Sequence, residues 1–149
     1  GNALPVLLAA EPLTSTTQTA HFGGQLDEVR IWEMERSGAR ILENFNRNVN
    51  GTEPLLVAVW RMEEATGTTA ANGTASTLLD GTLEGGMTSL NRVDGVLLGD
   101  PLADQYALQF DGLDDYVQIA DSAALNPSGS ATTVQSVPSN RAALTGSSC

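Results

Sequence analysis

HFGGQLDEVRIW, running from His21 to Trp32, is the stretch from which the fold of this chain is read. Its two glycines release a strand in which Asp27, Val29 and Ile31 point one way and Leu26, Glu28, Arg30 and Trp32 the other, the period-two pattern of a half-buried strand. A polar break at Glu33 to Ser37 ends it. From there Ile41, Leu42, Phe45 and Val49 fall at helical spacings, with Ser37 available as N-cap and Asn50-Gly51 as the stop, so a helix of two to three turns is expected over residues 37–48. A helix that short cannot stand alone, and Ile41, Leu42 and Phe45 are expected to rest on a sheet. Leu55 to Met62, LLVAVWRM, is a second strand with Trp60 near its end, and Leu4 to Ala10 is an apolar run closed by Pro12 that reads as a buried strand.

Composition sets bounds on what such a chain can do. A length of 149 residues suits one domain, 41% apolar residues suffices for a modest core, and fifteen glycines suit short strands with many turns. All seven cationic residues are Arg against eighteen acids, giving a net charge of −11, which excludes the basic footprint that nucleic acid needs. An acidic surface suits divalent cations or basic partners. No stretch approaches the ~18 apolar residues of a membrane span. The single cysteine, Cys149, allows no internal disulfide, and the Asn-Gly-Thr triplets at Asn50 and Asn72 read as turns.

Two further stretches carry a family pattern. After the helix come Trp60, the acidic pair Glu63-Glu64, Gly67-Thr68-Thr69-Ala70 and the turn Asp80-Gly81-Thr82-Leu83; later, Ala107 to Asp121 reads ALQFDGLDDYVQIAD and continues to Leu125-Asn126-Pro127. The first set resembles the closing strands, and the second the opening strands, of the laminin G-like jelly roll of the concanavalin A-like lectin/glucanase superfamily. The resemblance implies an all-β fold, a jelly-roll β-sandwich with one short α-helix. Leu79, where the family has a polar residue, is a local departure.

The order of the two halves is inverted. Residues 1–86 hold the closing half, 87–106 a linker or pair of short strands, 107–127 the opening strands, and 128–149 a small, polar tail expected to be poorly ordered unless it pairs with a sheet edge. The middle strands of the family are missing. Either the chain spans a junction between two tandem jelly rolls, or it is a permuted, shortened one in which opening and closing strands pair. Both arrangements leave sheet edges bare, and a bare edge is a template for strand addition or self-association.

The candidate chemistry lies in carboxylates. Asp111, Asp114 and Asp115 surround a glycine turn, and Asp27 and Glu28 lie on the strand expected beside it, so their oxygens could converge on one hard cation, with calcium the natural choice. The resemblance supports calcium, since jelly rolls of this superfamily often hold it. Trp32, Arg30 and Tyr116 are the candidates for holding a sugar ring, with packing of the helix over Trp32 through Phe45 as the alternative. Catalysis has little to work with: a glycosidase needs two carboxyls facing one cleft, whereas Glu28 and Glu33 fall on opposite faces of a regular strand. His21 lacks a positioned serine and acid, and reads as a loop residue. The expected function is a non-catalytic extracellular module, secreted or at the cell surface, that binds a glycan or a cell-surface protein. The alternative is a structural or assembly module working through open sheet edges, with a glycoside hydrolase third.

Overall fold

The computed structural model describes residues 5–11, 20–45, 47–95, 105–125 and 132–139. In chain order its elements are β1 (Val6–Leu8), β2 (Gly23–Trp32), α1 (Gly38–Asn44), β3 (Leu56–Trp60), β4 (Thr69–Ala70), β5 (Gly81–Glu84), β6 (Arg92–Asp94), β7 (Tyr106–Asp111), β8 (Tyr116–Ile119) and β9 (Thr133–Ser139). They form two antiparallel sheets, one ordered β1-β8-β5-β4 and the other β3-β2-β7-β6 with β9 also on β2. The chain is therefore mostly β, in a sandwich-like arrangement. Among the described residues no helix is long and apolar enough to cross a membrane.

β2 is the hub of the larger sheet. Gln25 and Leu26 pair with both β7 and β9, while Arg30 to Trp32 pair with both β3 and β9. A strand has only two edges, so β9 runs along one and β7 and β3 lie end to end along the other. Where those two meet, the Gln105 amide donates to the Glu63 carboxylate at 2.9 Å and Arg92 Nη1 donates to the Met62 carbonyl at 3.2 Å. The stretches that resemble closing and opening strands are thus hydrogen-bonded within one chain, Gly23–Leu26 against Leu108–Asp111. β8 likewise joins β5 to β1. β6 lies in the expected linker, and β9 in the expected polar tail, where the edge of β2 gives it a partner. Residues 12–19 and Cys149 lie outside the described residues.

The regular alternation expected of β2 is broken once. Asp27 pairs with Val137 and Arg30 with Gln135, so Glu28 and Val29 together oppose Ser136. Glu28 takes a left-handed backbone angle, φ 47°. This is a β-bulge, and the extra residue shifts the facing parity. Leu26 therefore joins Val29 and Ile31 on the core side instead of sharing a face with Arg30 and Trp32. The core between the sheets gathers Val29, Ile31, Ala58, Trp60, Leu108 and Phe110 against Leu8, Ala70, Leu83, Val117 and Ile119. Trp60 is wholly buried, its indole N–H donating to the Leu79 carbonyl at 2.8 Å.

The outer face of β2 is held by polarity. α1 starts at Ser37, whose side chain accepts from the Arg40 amide as expected of an N-cap, but it ends at Asn44 and buries none of its residues. Leu42 and Phe45 are 68% and 45% exposed, contrary to the expectation that they rest on the sheet. What docks this segment is Arg30. Fully buried, it donates from Nε and Nη2 to Glu28 Oε2 at 3.1 and 2.8 Å, from Nη1 to the Asn44 carbonyl at 2.7 Å, and from Nη2 to the Arg47 carbonyl. A buried guanidinium thus caps the carbonyls at the helix end and beyond it, a role that apolar spacing cannot supply.

Removing one partner of a fully buried ion pair strands the other charge, at a cost of about 3–5 kcal/mol. Glu28→Ala and Arg30→Met are each expected to lose that much stability in urea unfolding, while the double replacement loses less than the sum of the two. Strict additivity would contradict the pairing.

Candidate functional site

Three loops meet at the end of the sandwich where β2 begins: Ala9–Glu11 after β1, Ala20–Phe22 before β2, and Asp111–Asp115 between β7 and β8. Gly112, at φ 80°, packs its Cα against Gly23, where a Cβ would stand 3.2 Å from the Gly23 Cα. On the other side Gly85, at φ 77°, lies so close that a Cβ would come within 1.9 Å of the Asp114 carbonyl oxygen. The acidic turn is clamped between two glycines. Asp111 Oδ1 accepts from the Leu113 amide at 2.7 Å, and Asp115 Oδ2 accepts from the Asp111 amide at 3.0 Å and from Asn91 Nδ2 at 3.2 Å.

Hydrogen bonding and burial shift Asp111 and Asp115 in opposite directions. The Leu113 amide, foremost among the turn's amides, holds the Asp111 carboxyl below its ordinary range. Burial pushes Asp115 up, and the neighbouring Asp111 and Asp114 push the same way against the Asp111 amide. Asp115 is 5% exposed, whereas Asp111 and Asp114 face solvent. One carboxylate oxygen from each of the three lies within 4.8 Å of the others. A hard cation takes six to eight oxygens, so this turn could supply about half and water the remainder.

The other expected ligands stand apart from this cluster. Asp111 pairs in register with Gly23, not with Asp27, and four residues of strand put Asp27 about 13 Å further along. Asp27 is wholly buried, and Glu28 is committed to Arg30. Of the residues expected to hold a sugar, Arg30 is enclosed, and Trp32 is 3% exposed, packed on Val49 and Val59 with the Arg36 guanidinium 3.8 Å over its ring. Neither offers a face to a ligand here. Tyr116 is half-buried at the loop end, its ring centroid 6.4 Å from that of His21. His21 itself bridges to Ala10 and lines an open depression of about 380 Å³ with Ala9, Ala10, Glu11, Ala20 and Phe22. Sequence reasoning passed over this depression because its floor is mostly alanine, a residue without a chemical signature.

No protein-family model matches this chain, and no curated protein or solved structure matches it.

If the turn takes calcium, millimolar calcium is expected to raise the melting temperature, and Asp114→Asn, which removes an exposed ligand without touching the core, is expected to abolish the rise. An unchanged melting curve would leave Asp111–Asp115 as a capped turn only. The raised Asp115 pKa gives a second prediction. A carboxyl raised in the folded state is a stability penalty at neutral pH, relieved as pH falls through its folded value. Asp115→Asn keeps an acceptor oxygen without the charge, so its stability gain over wild type should be greatest at neutral pH and shrink towards pH ~4. A gain that grows on acidification would contradict this.

Proposed function

We propose that this chain is a non-catalytic interaction module that joins partners through an open sheet edge. The observation that carries the proposal is Val134. It pairs with Ile31, so its side chain stands on the core side of the sheet, yet Ile31 is 8% exposed and Val134 66%. The covering layer stops short of β9. Among the described residues β9 pairs with β2 alone, leaving its other edge without a partner strand. Its sequence, TVQSVPS, contains no charge. Sheet edges are ordinarily guarded by charge, proline or a covering element, and here Pro138 guards only the far end. An uncharged edge beside an exposed valine suits the addition of a strand, from a second copy or another protein.

The carboxylates support the non-catalytic part. Glu28 is spent on Arg30, and Asp111, Asp114 and Asp115 sit side by side on one turn, whereas glycoside hydrolysis needs two carboxyls flanking the scissile bond from within a cleft. A second reading, calcium-assisted recognition of carbohydrate, draws on the three aspartates gathered beside Tyr116 and His21. The extracellular, surface-protein setting comes from the resemblance.

Analytical ultracentrifugation of the whole chain tests the edge. A concentration-dependent dimer is expected, strengthening with salt because a net charge of −11 opposes approach until it is screened over about 8 Å at physiological ionic strength. Val134→Lys, on a residue already exposed, should return the protein to monomer without altering its circular dichroism. A compact monomer at every concentration and salt would contradict self-association through β9.

A further inference from the structure

We infer that the depression at the loop end of the sandwich is a docking surface for a cationic, partly apolar peptide segment, one that presents arginine or lysine next to an aliphatic side chain. The floor is apolar: the methyl groups of Ala9, Ala10 and Ala20 lie with the ring of Phe22, which is 39% exposed and braced edge-on by Phe110 at 6.4 Å. Leu113 adds a 76% exposed aliphatic chain at the tip of the adjoining turn. An aliphatic side chain laid on this floor removes apolar surface from water on both partners.

Charge selects the sign of the partner. Among the described residues, the acids at this end are Glu11 at the rim, Asp111, Asp114 and Asp115 on the turn joined to the rim through Gly23 and Gly112, and Glu84, which pairs in register with Tyr116. The described arginines lie elsewhere. Arg30, Arg36, Arg40 and Arg47 belong to the far end of β2 and to α1 and its flanks; Arg61 donates to the Val49 carbonyl, and Arg92 to Met62, Glu64 and Thr69. Among the described residues, His21 is the one basic side chain at this end, and it acts on both Asp111 and Asp115. The field over the depression is therefore negative, and it draws in a cation while repelling an acidic or phosphorylated segment. A depression of about 380 Å³ accommodates a side chain or two, not a folded domain, which points to a segment as the occupant.

The surface lies at the opposite end of β2 from Val134, which pairs with Ile31, and does not rest on the edge reading. The test uses the whole chain and a synthetic hexapeptide of alternating arginine and leucine, followed by fluorescence anisotropy and by backbone amide shifts. Binding is expected at micromolar to millimolar peptide, with shifts centred on His21, Phe22, Gly23, Gly112 and Leu113, and with affinity falling as salt is raised. The glutamate–leucine counterpart should not bind. Asp114→Asn combined with Leu113→Ser, both exposed positions, should weaken binding at least tenfold, and Arg40→Gln should leave it unchanged. Equal binding of the acidic peptide, indifference to the double substitution, shifts centred on Thr133–Ser139, or no binding at millimolar peptide would each overturn the inference. A protein that still dimerises in the ultracentrifuge while failing this test keeps the edge reading and loses only the docking surface.

Discussion

The contact between Glu28 and Arg30 is the constraint on which the rest of the larger sheet depends. Both side chains are excluded from water, which is costly unless each finds a partner, and here each is the other's. Glu28 reaches that position by taking a left-handed backbone conformation, which costs an L-residue roughly 1–2 kcal/mol. The ion pair offsets that strain, and the resulting bulge rotates the following residues so that Val29 and Ile31 enter the core while Arg30 and Trp32 turn outward. Arg30 has donors left over after Glu28 and spends them on the carbonyls of Asn44 and Arg47. One arginine thus fixes the bulge, the facing of half a strand and the seat of a helix that buries no side chain of its own.

Around that strand the sheet is assembled from both ends of the chain. β3 and β7 divide one edge of β2, and β9 takes the other, where the Thr133 hydroxyl donates to the Met34 carbonyl and accepts from the Arg36 amide. Gln135 is buried opposite Arg30, whereas Val134, one residue earlier, is exposed on the core side. The strand is thus covered on its outer face at Gln135 and open on its inner face at Val134. That asymmetry makes an interaction role physically sensible for β9, while the clamped acidic turn and the alanine-floored depression give the loop end a different chemistry.

Much of this was legible in the sequence, for physical reasons. The alternation in Gln25–Trp32 marked the central strand, the apolar run before Trp60 marked its neighbour, Ser37 marked the start of α1, and the glycine turn marked the acidic cluster. What escaped had equally definite causes. A bulge at a glutamate leaves no signal in a period-two pattern, so Leu26 was set on the wrong face. The antiparallel register was not readable, so Asp27 and Glu28 were grouped with a turn from which the pairing separates them. Arg30 and Trp32, on the outward face, were candidates for holding a ligand; Arg30 is instead enclosed against the Asn44 and Arg47 carbonyls, and Trp32 by Val49, Val59 and the Arg36 guanidinium, contacts that composition cannot show. Likewise β9 lay in a stretch of serine, threonine and alanine whose order comes from its neighbour rather than from its own pattern.

Native-state hydrogen exchange, resolved by residue, tests most directly the claim that a single strand stapled by Glu28 and Arg30 organises both ends of the chain. Amides of Val29–Trp32 should be the slowest to exchange, and those of Leu108–Phe110 and Val134–Gln135 should open with the same free energy as β2, as parts of one cooperative unit. Exchange in which Leu108–Phe110 or Val134–Gln135 opens independently, while β2 stays closed, would show that the two halves are separate units and would contradict the account.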